Sequence, residues 1–176
     1  MPIDFDLPTD AKGQLLAGAL FAESSTKFYG GGEDAGEKTA IAQAIINMAF
    51  YAGQSKMGGK KCYNESFGDG SVLSAIKRAI VAYGKDRWNL VMSGDKLKSK
   101  ADLEKVLNKF DVEHLKGCVE AVNALSSAVP ISNGTFGRIP LQFNQATDSP
   151  PSPRTEKIGK AGAHTFYAFI VGRECQ

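Results

Sequence analysis

One stretch of the chain, residues 37 to 52, has the spacing of a helix that is apolar on almost every side. Ile41, Ile45 and Met48 form one face of this helix, and Phe50 lies on the other. A helix of this kind is usually central, because each of its faces must pack against another element. The sequence therefore predicts a helical domain built around this segment.

Further helices are predicted on both sides of this segment from apolar spacing and from capping residues. The helix that follows Ser99 is predicted to turn Val106 and Phe110 inward. A short helical turn is predicted around Trp88. The predicted N-caps are Thr9 for a helix over about 10–23, Ser71 for one ending near 83, Ser99 within a capping box, and Asp111 for the last helix.

The character of the chain changes after Pro130, where prolines and loop residues become frequent. One short strand is predicted over residues 139–143, and a terminal strand over 163–171, where aromatic and β-branched residues are concentrated. The predicted fold class is α+β, mainly α: one domain over residues 1–176, helical, with a small C-terminal β element.

Charge and cysteine usage exclude several classes of protein. The chain has 21 Lys and Arg against 19 Asp and Glu, a net charge of +2, which is not the basic footprint of a nucleic-acid binder. Three Cys without a C-x-x-C pair and only two His offer no metal-ligand pattern, so we expect neither metal nor cofactor. No apolar run approaches the roughly 20 residues of a membrane span, and no signal peptide is visible.

Glu23 is the residue most indicative of function. It continues the apolar stripe of Leu16, Ala19 and Leu20, and it ends its helix, where the helix dipole disfavours negative charge. Burial and the dipole both raise the pKa of a carboxyl, which suits a general acid for glycosidic cleavage. The alternative is a helix-end glutamate that turns toward water. The glycine-rich segment 24–36 follows, and is predicted to break the helix.

Two C-terminal segments offer polar side chains to a ligand. On the predicted terminal strand, His164 and Tyr167 lie on opposite faces. We predict that Tyr167 faces the ligand and that His164 looks inward to a backbone partner; alternatively, both only pack. The amides of Gln142 and Asn144 alternate with apolar residues and could bind sugar hydroxyls, unless they belong to a polar loop.

Three motifs together resemble the SleB-type cell-wall hydrolases, a spore-cortex-lytic group of lysozyme-like enzymes. They are LLAGALFAE at 15–23, EKTAIAQAIIN at 37–47 and GAHTFY at 162–167. The resemblance implies a lysozyme-like helical fold with Glu23 as the catalytic acid and base of a lytic transglycosylase. Such enzymes cut the bond between N-acetylmuramic acid and N-acetylglucosamine, and the sugar's own 6-hydroxyl closes an anhydro ring.

The chain departs from the family after the acid, where an A-E-x-x-G-E turn is replaced by a longer glycine-rich segment. Glu33 and Glu37 consequently lie further from Glu23 along the chain. Glu33 is the best candidate for a second carboxylate, which would allow hydrolysis by water instead of ring closure. The candidate substrate-binding residues are Tyr29, Glu33, Gln142, Asn144, His164 and Tyr167.

Two other functional classes remain open. A cysteine amidase or peptidase on the peptide stems would use Cys62 as nucleophile and His164 as base, with Lys60 and Lys61 lowering the pKa of the thiol. A non-enzymatic carbohydrate-binding module would keep the groove without activity.

The expected partners follow from the substrate class. They are peptidoglycan glycan strands, with no nucleic acid and no membrane span. A wall-cutting domain without a signal peptide is expected to reach the periplasm or cell wall through a secretion system or a phage lysis route. As an antibacterial effector, such a toxin would imply a cognate immunity protein that plugs its groove.

Overall fold

The computed structural model describes residues 1–24, 32–54, 56–57, 60–61, 68–79, 84–144 and 149–173, with the backbone alone at 32–35, 56–57 and 60–61. This part of the chain contains six helices and seven strands. The helices are α1 (Ala11–Glu23), α2 (Gly32–Gly53), α3 (Val72–Ala79), α4 (Gly84–Val91), α5 (Lys100–Val106) and α6 (Lys109–Asn123). The strands are β1 (Lys56–Met57), β2 (Lys60–Lys61), β3 (Met92–Ser93), β4 (Lys96–Leu97), β5 (Gln142–Asn144), β6 (Thr155–Ala161) and β7 (His164–Phe169).

Helix α1 is buried on every side from residue 15 to its end. Its N-cap is Asp10, whose carboxylate accepts a hydrogen bond from the Gly13 N–H at 2.8 Å, so the prediction of Thr9 was wrong by one residue. Gly18 lies so close to Met92 that a Cβ there would come within 2.4 Å of the Met92 sulfur. This close packing places α1 in the centre of the fold, against α4 and α6.

Helix α2 is the second central helix, as its all-round apolar pattern predicts, and Ile41 and Ile45 are fully buried. It begins at Gly32, so the prediction that the segment 24–36 breaks helicity is wrong for residues 32–36. The intrinsic helix propensity of a residue is a weak predictor, because tertiary packing can override it. A glycine such as Gly36 is tolerated here because the rest of the helix is anchored in the core.

A buried polar side chain on α2 holds the C-terminal third of the protein in place. Asn47 is fully buried; its Nδ2 donates to the carbonyls of Ile131 (2.9 Å) and Pro140 (2.7 Å), and its Oδ1 accepts from the Ile131 N–H (2.6 Å). One turn earlier, Gln43 accepts a hydrogen bond from the Asn133 amide at 2.8 Å. These bonds satisfy buried polar groups that would otherwise be costly.

We expect Asn47→Ala to be strongly destabilising, because it removes all three buried hydrogen bonds of this side chain. The free energy of unfolding should fall by about 3 kcal/mol or more. For a chain of this size the Tm should then drop by roughly 6–12 °C, measured by circular dichroism. Asn123→Ala at the exposed end of α6 is the matched control. A Tm of the Asn47 variant equal to that of the control would contradict the anchoring role.

The junction of α5 and α6 differs from its prediction. Ser99 is the N-cap of α5, as predicted, but Asn108 opens a new helix and forms a capping box with Asp111, which lies inside α6 instead of capping it. Because the chain breaks between the two helices, side chains before and after the break no longer lie on one continuous helix face. Val106 and Phe110 are consequently exposed, the latter at 63%, so the prediction that both turn inward was wrong.

The C-terminal region forms a three-stranded antiparallel sheet in the order β5-β7-β6. Strand β7 is buried along its whole length, whereas β6, with the sequence TEKIGKA, has no regular alternation of apolar and polar residues and was not predicted as a strand. The fold is therefore α+β and mainly α, with a small C-terminal sheet, in agreement with the prediction from sequence. None of the helices in the described residues is long and apolar enough to cross a membrane.

Candidate functional site

Among the residues that the structure describes, five Glu, Lys and His side chains are buried at the ends and faces of the central helices and on β7. Charged residues are almost never buried to this degree unless they are paired or functional. His114 joins α6 to the end of α1, and Glu37 joins α2 to the β6–β7 turn and β7. These residues are Glu23, Glu37, Lys38, His114 and His164.

Glu23 ends α1 in a well-fixed position and is 5% exposed. The next residue, Ser24, donates both its N–H (2.9 Å) and its Oγ–H (2.6 Å) to the Leu20 carbonyl. Arg87 of α4 donates from Nη1 to the Ser24 carbonyl at 3.4 Å, and its guanidinium lies 5.1 Å from the centroid of the Phe21 ring. A cation at this position stabilises the negative end of the helix.

His114 of α6 holds the other side of the same helix end. Its Nε2 lies 3.2 Å from the Phe21 carbonyl, and because a carbonyl only accepts, Nε2 carries the proton. Burial, and to a smaller extent the positive charges of Lys38 and Arg87, lower the pKa of His114 to about 3, against smaller opposing effects of the Phe21 carbonyl and Glu37. His114 is therefore neutral near pH 7.

The low pKa of His114 predicts how stability changes with pH. The unfolded chain takes up a proton at His114 below pH 6.5, whereas the folded protein takes it up only near pH 3, so stability is lost as the pH falls between these values. The wild type should have a larger free energy of unfolding than His114→Gln near pH 7. This difference should shrink by about 1.4 kcal/mol for each unit by which the pH falls over this range. Urea unfolding at several pH values measures it. A gap that stays constant would show that His114 is not buried in its neutral form.

Glu37, near the start of α2, contacts the turn between β6 and β7. Its Oε1 accepts hydrogen bonds from the Ala163 N–H and from Nδ1 of His164, both at 2.8 Å. Glu37 is 0% exposed and His164 is 1% exposed. His164 does look inward as predicted, but the prediction of a backbone partner was wrong, because its partner is this carboxylate.

The GAH part of the terminal motif is explained by this contact. Gly162 and Ala163 form the two-residue turn between β6 and β7. Gly162, the first of them, has a φ of +54°, whereas Ala163 has no positive φ. This is the pattern of a type II′ hairpin, which favours glycine at the first turn position. A Cβ on Gly162 would also come within 2.5 Å of the Glu37 carboxylate. Gly162 is therefore required twice, by the backbone conformation and by the close approach of Glu37.

The two faces of β7 separate as the strand pattern predicts. The His164 ring lies 5.4 Å from that of Phe143, whereas Tyr167 lies on the opposite face and donates its hydroxyl to Oδ1 of Asn144 at 3.2 Å. Gln142 accepts a hydrogen bond from the Thr155 hydroxyl at 3.3 Å. Tyr167 is 0% exposed, so a contact between its ring and a sugar would require the residues that cover it to move. Its role as a ligand contact stays a prediction.

Three of the residues proposed from sequence fall wholly or in part outside the described part of the chain. Tyr29 and Cys62 lie outside the described residues, and so does the side chain of Glu33, whose backbone belongs to α2. The second carboxylate that the described residues place in the buried cluster is Glu37. Within the described ranges, no group of three or more His, Cys, Asp or Glu side chains could hold a metal ion.

Sequence reasoning missed two members of the cluster, Lys38 and His114, and also their neighbour Arg87. His114 precedes Cys118 by four residues and so shares its inward face, which was a readable signal. The Lys38 stem passes Gly117, where an added Cβ would lie 3.5 Å from its Cε. Nη2 of Arg87 is buried and, within the described residues, has no hydrogen-bond partner.

Comparison of this chain with protein-family models, with curated proteins and with solved structures gave no match. The resemblance to SleB-type hydrolases therefore stays a prediction, carried by its three motifs. Of these motifs, the end of α1 supplies Glu23, the start of α2 supplies Glu37, and the terminal motif supplies its partner His164.

Proposed function

We propose that the protein cleaves the glycan strands of peptidoglycan, with Glu23 as general acid and base. The observation that carries this proposal is the burial of Glu23 at the end of α1, in a backbone position fixed by Ser24, Arg87 and His114. Desolvation favours the protonated form of a carboxyl, and a fixed donor is what proton transfer to a glycosidic oxygen requires.

The proposed reaction needs one carboxyl acting twice. Glu23 gives its proton to the oxygen that links N-acetylmuramic acid to N-acetylglucosamine, and the glycosidic bond breaks. The resulting carboxylate takes a proton from the hydroxyl that attacks the sugar carbon, which restores the acid. Attack by the sugar's own 6-hydroxyl gives an anhydro ring, and attack by water gives hydrolysis, for which Glu33 is the candidate second carboxylate.

The location and partners of the protein follow from this substrate. Peptidoglycan is reached in the periplasm or the cell wall, so we propose delivery by a secretion system or a phage lysis route. An antibacterial effector of this kind would be held inactive in its producer by an immunity protein that covers the proposed catalytic site at Glu23.

Lysis of purified sacculi tests the proposed class of activity. The wild-type protein should lower the turbidity of a sacculus suspension with time, and heat-denatured protein should not. A module that only binds carbohydrate would sediment with the sacculi and leave the turbidity unchanged, which would contradict the proposal.

A second candidate, a cysteine amidase on the peptide stems, is favoured by one observation. His164 is held at Nδ1 by the Glu37 carboxylate at 2.8 Å, the arrangement that orients a catalytic base beside a thiol. The nucleophile would be Cys62, which lies outside the described residues.

Cys62→Ala separates the two candidates. We expect this variant to keep nearly the full rate of sacculus lysis, because no thiolate takes part in general acid catalysis by Glu23. Cys175→Ala is the control for removal of a thiol elsewhere in the chain. Loss of activity in Cys62→Ala alone, with an unchanged Tm and free amino groups released by the wild type, would place the amidase first.

A further inference from the structure

A cleft of ≈ 400 Å³ lies beside the turn that Glu37 holds. It is formed by the beginning of α2, the turn after Ile131 and the β6–β7 hairpin. Its volume is in the range of sites that bind small ligands. The residues that line it are Gly36, Asn133, Thr135, Phe136, Lys160, Ala161 and Gly162.

One wall of the cleft is a rigid aromatic ring. Phe136 packs over Gly159, where an added Cβ would come within 2.7 Å of its Cδ1 and Cε1. Its ring centroid also lies 5.4 Å from that of Phe166, the residue that pairs with Gly159 across the sheet. Because Gly159 has no side chain and Phe166 is buried, the Phe136 ring is fixed in position while remaining part of the cleft surface.

The turn that carries this ring is also fixed. Oδ1 of Asn133 accepts hydrogen bonds from the N–H groups of Thr135 (3.0 Å) and Phe136 (3.1 Å), while its Nδ2 donates to Gln43 on α2 at 2.8 Å. Asn133 is itself buried, so these bonds tie the turn to the core. The cleft is therefore preformed, which lowers the entropic cost of binding a ligand.

The opposite wall is built from small residues, and the rim is polar. Gly36, Ala161 and Gly162 leave room for a ring to lie against the backbone, and an added Cβ on Gly36 would meet no atom within 4 Å. The exposed side chains of Thr135 and Lys160 supply a hydroxyl and a cation. An aromatic face, a hydroxyl and an ammonium group together suit a pyranose ring that carries a carboxylate.

The geometry points to this cleft as a subsite for an N-acetylmuramic acid residue of the glycan strand. The sugar ring would lie on Phe136, and its lactyl carboxylate would be directed to Lys160. This inference deepens the proposed function and rests on it for the identity of the polymer. It adds a specificity determinant away from Glu23, one that distinguishes the carboxylated sugar from N-acetylglucosamine.

Titration with single sugars tests the subsite without any bond cleavage. N-acetylmuramic acid added to ¹⁵N-labelled wild-type protein should shift the amide signals of Gly36, Thr135, Phe136 and Gly162. N-acetylglucosamine, which lacks the lactyl carboxylate, should bind at least several-fold more weakly. Equal binding of the two sugars, or no shift at these amides, would overturn the assignment.

A matched pair of glycine substitutions provides a steric test. Gly36→Leu should weaken binding of N-acetylmuramic acid by about tenfold or more, because its side chain enters the open volume that the sugar needs. Gly134→Leu is the control, since an added Cβ there also meets no atom within 4 Å but the residue does not line the cleft. Equal affinities of the two variants would contradict the subsite.

A charge substitution at the rim tests the contact between Lys160 and the lactyl carboxylate. Comparison of sugar binding with sacculus lysis distinguishes failure of the subsite from failure of the proposed function. Lys160→Gln should reduce the preference for N-acetylmuramic acid over N-acetylglucosamine, because it removes the cation that contacts the lactyl carboxylate. If sacculi are lysed but the sugar does not bind here, the subsite fails while the proposed function stands. If the sugar binds here with the expected preference and no lysis occurs, the proposed function fails while the cleft remains a muramyl-binding site.

Discussion

Replacement of Glu23 by Gln should reduce the rate of sacculus lysis by about 100-fold or more, the usual contribution of a general acid. Gln has nearly the shape of Glu but cannot give a proton to the leaving oxygen. The helix end itself is held by Ser24, Arg87 and His114 through backbone carbonyls, so the fold does not depend on the proton of Glu23. We therefore expect a Tm close to that of the wild type.

Glu120→Gln is the control for this experiment, because it makes the same chemical change at an exposed position of α6. Its lytic rate should equal that of the wild type. Retention of the wild-type rate in Glu23→Gln would remove Glu23 from the chemistry, and a large fall in Tm would assign it a structural role instead.

A large effect on stability is expected for Glu37→Ala. This change leaves the buried His164 and the Ala163 N–H without the carboxylate that accepts their hydrogen bonds. Loss of one member of such a buried pair should lower the free energy of unfolding by about 3 kcal/mol or more. The Tm should fall by roughly 6 °C or more in thermal unfolding.

Glu37→Gln separates the hydrogen bonds from the charge, because its amide oxygen can still accept from both donors. It should retain most of the stability that the alanine variant loses. Glu113→Ala, an exposed position on α6, is the control for removal of a carboxylate. A Glu37→Ala protein as stable as this control would show that the contact with the β6–β7 turn does not hold the sheet to α2.

The elements that could be predicted from sequence are those with a strong period or a recognisable cap. The apolar spacing of α2, the Ser99 cap and the aromatic run of β7 each predicted the element that the structure contains. Burial of Glu23 followed from its place on the apolar stripe of α1. In each case the signal lies within a few residues of the chain.

The features that were missed depend on contacts between distant residues. Glu37 and His164 are 127 residues apart, so no local pattern could assign the histidine its carboxylate partner. The exposure of Phe110 follows from the competition between Asn108 and Asp111 for the capping position, which apolar spacing does not include. Strand β6 has a weak pattern of its own and is formed by pairing with β7.

The measurement that tests the central claim most directly is mass spectrometry of the fragments that the wild-type protein releases from purified sacculi. Cleavage through Glu23 predicts soluble disaccharide units with intact peptide stems, each ending in a muramyl residue as an anhydro ring or a reducing sugar. The same digestion with Glu23→Gln should release almost none of these fragments. Free stem peptides beside uncut glycan strands, or the same disaccharide fragments from both proteins, would contradict the account.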